Sequence, residues 1–160
     1  MKRIKYSCIA ILFCTLGVLN SCNVSNMKLS KIDLVDLEGK EVHLEDLKGK
    51  PIFLNFWATW CPPCRQEKPA MERARQILEK EGFQFVMISQ EDIEVIKKFH
   101  HAKPYGFKYL KTMDNIKLLG VFEIPQTYVY NSDGEVVFEH TGMMNWDSPE
   151  TLQMLREVVK

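Results

Sequence analysis

Ile52-Phe53-Leu54-Asn55-Phe56-Trp57-Ala58 is a nearly unbroken apolar run of branched and aromatic side chains. Its length, with Gly49 and Pro51 before it, predicts a central strand buried on both faces. From Pro62 to about Glu81 the apolar period becomes helical. Ala70, Met71, Ala74, Ile77 and Leu78 share one face, Pro69 falls inside the pattern, and Gly82 ends it. Phe83 to Ser89 predicts a second buried strand, and Ile93, Ile96 and Phe99 a second helix. Strand, helix and strand at these lengths imply a parallel pair joined by a right-handed crossover.

The flanking segments are shorter and more polar. Ile32 to Leu37 and Glu41 to Leu44 alternate around Glu38-Gly39-Lys40, which predicts a hairpin. Leu44 to Leu47 fits one helical turn closed by Gly49. Lys103 to Met113 is irregular and aromatic, and Asp114 or Asn115 fits the cap of a short helix through Leu119, stopped by Gly120. Thr127 to Tyr130 and Glu135 to His140 flank the turn Asn131-Ser132-Asp133-Gly134. Ser148-Pro149-Glu150 opens a last helix with Leu152, Leu155, Val158 and Val159 inward. The sum is an α/β domain: a mixed central sheet of about five strands, flanked by helices on both faces, with an added N-terminal hairpin.

Composition narrows this picture little: 160 residues, 46% hydrophobic and 26% charged, suit one globular domain. Twenty-one basic and 21 acidic side chains cancel, and no basic block stands out, so nucleic acid is not an expected partner. The first residues do change the picture. Lys2, Arg3 and Lys5 precede the apolar stretch Ile9 to Leu19, too short to span a bilayer comfortably and right for an export signal. It ends in Leu19-Asn20-Ser21-Cys22, which resembles the bacterial lipobox, although Asn20 is less apolar than that box usually allows. Residues 1–21 are therefore read as a lipoprotein signal, Cys22 as the lipidation site, 22–30 as a tether and 31–160 as the folded domain. An uncleaved anchor or a plain secreted protein is the alternative. Cleavage before Cys22 removes three basic residues and leaves a net charge of −3. It also removes Cys8 and Cys14, so that acylated Cys22 would leave Cys61 and Cys64 as the free pair.

The chemistry centres on Trp60-Cys61-Pro62-Pro63-Cys64. A strand ending in Cys-x-x-Cys, with a helix starting there, puts the first sulfur at a helix N-terminus. Unpaired N–H groups and the positive end of the dipole then favour its thiolate. Cys61 is the expected nucleophile. Cys64, one turn on and less exposed, is the expected resolving thiol. The competing reading is half of a zinc site, but zinc takes four ligands, and His43, His100, His101 and His140 are scattered. Glu91 follows the second strand, where it fits either a proton carrier for Cys64 or an acid favoured at a helix start. Pro125 fits an ordinary strand-entry proline or a turn whose backbone meets an extended client. Trp57 fits the core. Trp60 fits loop packing with a docking face.

Phe56-Trp57-Ala58-Thr59-Trp60-Cys61-Pro62-Pro63-Cys64-Arg65, Pro69, Ile124-Pro125-Gln126-Thr127 and Asp133-Gly134 together resemble the thioredoxin superfamily, in particular the TlpA/ResA-like thiol-disulfide oxidoreductases. The resemblance runs from about Ser30 to the C-terminus. It implies a thioredoxin-like fold, a Cys61–Cys64 redox disulfide, a cis bond before Pro125 and an active-site glutamate, which it places at Glu91. It also implies that Trp60, Pro62, Pro63, Ile124 and Pro125 meet the client, with no cofactor or metal. The implied partners are disulfide-containing proteins, apocytochrome c among them, and a membrane thiol donor. The implied location is the periplasmic side of the bacterial envelope. Asn55 stands where cytoplasmic thioredoxins hold a buried aspartate, and Gln126 where threonine is commoner. The related peroxiredoxins need a threonine three residues before the reactive cysteine, where this chain has Ala58. Two rivals stay open: a disulfide-forming oxidant of the same fold, and a non-catalytic or zinc-binding module.

Overall fold

The computed structural model describes residues 32–160; the expected signal, Cys8, Cys14, Cys22 and the tether lie outside the described residues. The elements in chain order are β1 (Leu34–Val35), β2 (Glu41–Val42), a 3₁₀ turn (Leu44–Leu47), β3 (Ile52–Phe56), α1 (Pro62–Leu78), a 3₁₀ turn (Glu79–Glu81), β4 (Gln84–Ser89), α2 (Ile93–Ala102), β5 (Lys108–Thr112), β6 (Gln126–Tyr130), β7 (Val136–Thr141) and α3 (Pro149–Val158). They build one seven-stranded sheet in the order β2-β1-β5-β4-β3-β6-β7. β3, β4 and β5 run parallel, and β6 pairs antiparallel with β3.

The unbroken apolar run becomes the sheet's middle because β3 is buried along its whole length. Strand alternation then sends its side chains to two cores. Phe53 and Trp57 join a cluster with Phe85 and Met87, against which α1 (Met71, Ala74, Leu78), α2 (Ile96) and α3 (Leu152, Leu155) all pack. Ile52, Leu54 and Phe56 join the opposite cluster, covered by Leu44 of the first 3₁₀ turn, by Ile32 and Leu34, and by Val121. Helical turns thus stand on both faces, while all three α-helices lie on one. For α1 and α2 that follows from two successive crossovers, β3-α1-β4 and β4-α2-β5, advancing the same way across the sheet.

The sheet has seven strands rather than about five. The hairpin β1-β2 docks on its edge through β5, and β5 lies inside the stretch read as irregular. Lys108 and Lys111 interrupt the apolar signal there, yet Tyr109, Leu110 and Thr112 are buried. The short helix expected after Asp114 is instead a chain of tight turns, in which the N–H groups of Leu118, Leu119 and Gly120 each donate to the carbonyl three residues back. The remaining punctuation holds. α1 runs through Pro69 and ends beyond its 3₁₀ turn at Gly82, whose φ of 97° suits glycine. Ser148 caps α3 by accepting from the Thr151 N–H at 3.1 Å.

Two charged side chains sit inside the helix-side core. Glu67 is 3% exposed and Lys68 0%. Burial raises the Glu67 carboxyl to about pKa 7, against opposing hydrogen bonds from Trp146, Met144 and Asn55 and the charge of Lys68. A folded-state pKa above the unfolded one means that the native state prefers the protonated acid. The resulting stability is complete below pH 4.5 and lost as pH rises through 7. Chemical denaturation of the oxidised protein and of Glu67→Gln should therefore show a difference that moves against the wild type by about 3 kcal/mol between those pH values. A pH-independent difference would mean that Glu67 ionises normally.

Candidate active site

The site forms where β3 hands over to α1. Trp57 still belongs to the sheet, donating its N–H to the Ile88 carbonyl at 3.0 Å. The chain then turns through Ala58, Thr59 and Trp60 to Cys61, the N-cap of α1, whose φ of −86° and ψ of 105° are extended. Pro62 and Pro63 occupy the first two helical positions and carry no N–H. The first donor of the helix is therefore the Cys64 N–H, and it points at Cys61 Sγ, 3.2 Å away. The Arg65 N–H goes to the Cys61 carbonyl at 3.2 Å. Sulfur thus occupies the place that a serine or aspartate oxygen takes in an ordinary cap.

Cys61 and Cys64 form a disulfide with an S–S distance of 2.03 Å. Cys61, at 3% exposed, and Cys64, at 1%, are both buried. Beside the pair, Trp60 is 69% exposed, so the rim offers a large aromatic face. The Ile124–Pro125 bond is cis. The Ile124 carbonyl oxygen lies 3.8 Å from Cys61 Sγ, so residues 63 positions apart meet at the sulfur. Gln126 turns away from this surface, and its Oε1 accepts from Thr141 Oγ1. A cleft of about 150 Å³ opens beside the turn that precedes Cys61, between Trp57, Trp60, Glu91, Ile116 and Ile124.

Glu91 is close to the pair in space but is already engaged. Its carboxylate accepts from the Thr59 N–H and the Thr59 hydroxyl, both at 2.6 Å, and from Ser89 Oγ at 3.1 Å. These bonds pin the turn before Cys61 to the end of β4.

Glu67, absent from the expected site residues, lies three positions after Cys64 and so on the same helix face. Its Oε2 accepts from Trp146 Nε1 at 2.8 Å, and its Oε1 from Asn55 Nδ2 at 3.4 Å. Asn55 also donates to Thr127 Oγ1 at 3.0 Å, which links Glu67 to the strand after Pro125. The position that holds an aspartate in cytoplasmic thioredoxins is thus an amide here, and the buried acid comes from the helix instead. With a pKa raised by burial to about 7, Glu67 can hold or release a proton at neutral pH. The spacing Cys64, Glu67, Met71, Ala74, Leu78 was the available signal: it is a continuous inward stripe. Among the described residues, no three His, Cys, Asp or Glu side chains converge as a metal site, and the four histidines stay apart from the cysteines.

The AhpC/TSA family profile matches residues 25–139. The thiol-disulfide oxidoreductase ResA of Bacillus thuringiensis subsp. konkukian is 33% identical over 131 residues, 79% of this chain and 72% of that protein. Among solved structures, the thioredoxin domain of a thiol-disulfide oxidoreductase from Bacteroides vulgatus superposes with a TM-score of 0.70 at 20% identity, covering 85% of this chain and 99% of that one. The exposed lipoprotein thioredoxin of Streptococcus pneumoniae superposes with a TM-score of 0.65 at 26% identity, covering 78% and 97%. With a cysteine pair at the start of α1, a thioredoxin-like sheet beneath it and these relatives, the chain belongs to the AhpC/TSA family and, within it, to the ResA-like thiol-disulfide oxidoreductases.

Proposed function

We propose that the protein is a lipid-anchored reductant on the periplasmic side of the bacterial cell envelope, acting on disulfides of client proteins, apocytochrome c among them. In the reduced enzyme the Cys61 thiolate attacks one sulfur of the client disulfide, and the other client sulfur leaves as a thiolate. Cys64 then passes its proton to Glu67 and attacks Cys61 Sγ. The second client sulfur also leaves as a thiolate; with one proton returned from Glu67 and one from solvent the client departs as a dithiol with two electrons gained, and the Cys61–Cys64 disulfide remains. A membrane thiol donor returns two electrons to the pair. Pro62, Pro63 and Trp60 form the rim that the client meets, and the backbone around Ile124 and Pro125 pairs with its extended segment.

The observation that carries this reading is the convergence at one sulfur. Cys61 Sγ is capped by the Cys64 N–H, bonded to Cys64, and faced by the Ile124 carbonyl. The anchor rests on the lipobox-like ending at Cys22 and on the pneumococcal relative being a lipoprotein. We assign Glu91 a positioning role through Thr59, whose N–H and hydroxyl it holds, and the proton to Glu67, which shares a helix face with Cys64 and whose carboxyl burial raises to about 7.

Two measurements test these assignments. Cys64→Ser should accumulate a mixed disulfide between Cys61 and client proteins, identifiable by mass spectrometry, while Cys61→Ser should accumulate none. Equal labelling of both variants, or of neither, contradicts the exchange. Glu91→Ala should lower reductase kcat/KM about 10-fold, as loss of a supporting shell does, with the pH profile in place. Loss of a titrating limb in that variant would instead make Glu91 the proton carrier.

A further inference from the structure

Both chain neighbours of Cys61 border a concavity. Trp60 borders the cleft described above, and Pro62 borders a second groove of about 310 Å³ between α1 and the end of α2. Pro62, Arg65 and Pro69 line its α1 side, and Phe99, Lys103 and Tyr105 the other. Phe99 and Tyr105 are half-buried and held from behind: their ring centroids lie 4.8 Å from Trp57 and 5.5 Å from Phe107. Arg65 and Lys103 are exposed, one cation on each wall. No acid among the described residues lines the groove. Glu72, whose charge reaches Tyr105, is already engaged by Arg75 Nε at 2.9 Å, by Arg75 Nη2 at 2.7 Å and by the Gly106 N–H at 3.1 Å. From Val95 to Met113 the chain carries five lysines and no acid. Lys97 and Lys111 pair with Glu94 and Asp92, whereas neither Lys103 nor Arg65 forms an ion pair among the described residues.

We infer that this groove is a specificity subsite for an acidic segment of the client, with one carboxylate on Arg65, another on Lys103, and the apolar stems of the acidic side chains on Phe99 and Tyr105. This rests on the client reduction proposed above. Lys103 closes α2, where the negative end of a helix favours a cation, so its place has a local reason. Arg65 has none. It stands near the start of α1, where the positive end disfavours a cation, and the first turn holds no acid to offset it. A guanidinium suits a planar carboxylate, which it holds through two parallel N–H bonds. The chain as a whole carries no net charge, so the groove is a local positive spot rather than part of a general field. A client whose attacked sulfur sits at Cys61 and whose chain continues past Pro62 enters the groove directly. A basic segment there would meet two like charges, which adds rejection to attraction.

The test is a set of model peptides, each with one disulfide, whose attacked cysteine is flanked by a Glu pair, a Gln pair or a Lys pair. The reduced wild type should reduce the Glu peptide with a kcat/KM about five-fold above that of the Gln peptide, as two exposed charge pairs allow, and the Lys peptide more slowly still. The preference should vanish at about 1 M salt. Arg65→Gln combined with Lys103→Gln should abolish it while the Gln peptide keeps its rate, and Arg65→Glu combined with Lys103→Glu should reverse it in favour of the Lys peptide. Equal rates on all three peptides by the wild type overturn the inference. So does a variant that slows all three alike, which would mean that Arg65 serves the Cys61 thiolate instead. A second arm uses the oxidised protein and the same peptides with serine in place of cysteine, followed by nuclear magnetic resonance. The Glu peptide should shift the Arg65 Nε–H and the Tyr105 ring, and the Gln peptide should not. If those shifts appear while no peptide is reduced, the reductase reading fails and the acidic subsite stands; if the Glu peptide shifts neither group, the subsite fails whatever the reduction rates.

Discussion

A helix that begins with two prolines has only two of its four usual free N–H groups to place, those of Cys61 and Cys64. The Cys61 N–H goes to the Ala58 carbonyl and the Cys64 N–H to Cys61 Sγ, while the Arg65 N–H makes the first ordinary helix bond to the Cys61 carbonyl. Nothing in the first turn competes with the sulfur for the helix's positive end. The rest of the site depends on this cap. It fixes the direction of the Cys61 side chain, sets Cys64 at bonding distance, and leaves the exposed Trp60 and the Ile124 carbonyl beside the sulfur.

The sheet supplies the rigidity that the cap needs. β3 is buried throughout and paired on both sides, so Trp57 enters the loop from a fixed point. Glu91 fixes the other end of that loop by bonding Thr59 twice. Beneath, Asn55 joins β6 to Glu67, and Lys68 fills the gap between Trp57 and Met87. Polar groups in this core are thus arranged around the thiols, and the apolar packing of Phe53 on Phe85 and Trp146 surrounds them.

Much of this was legible in the chain. β3, α1 and the cysteine pair announce themselves because a strand period gives way to a helix period at Cys61, and Ser148-Pro149 marks α3 with a cap and a first-turn proline. β5 was hidden because Lys108 and Lys111 break the apolar signal of a strand whose neighbours lie elsewhere in sequence. The burial of Glu67 and Lys68 was hidden for a different reason. Acids and lysines on an amphipathic helix default to solvent, and their cover comes from Trp146 and Phe107, distant in the chain. Thr59, which holds both oxygens of Glu91, likewise lies 32 residues back, and no local pattern connects the two.

The cap makes its own demand on chemistry, and one measurement meets it directly. In the reduced protein, the pH dependence of Cys61 alkylation by iodoacetamide gives the thiol pKa. A sulfur holding the first helix N–H should titrate at least about one unit below the ordinary cysteine value of roughly 8.5. A midpoint at or above that value would mean that the helix start does not stabilise the thiolate.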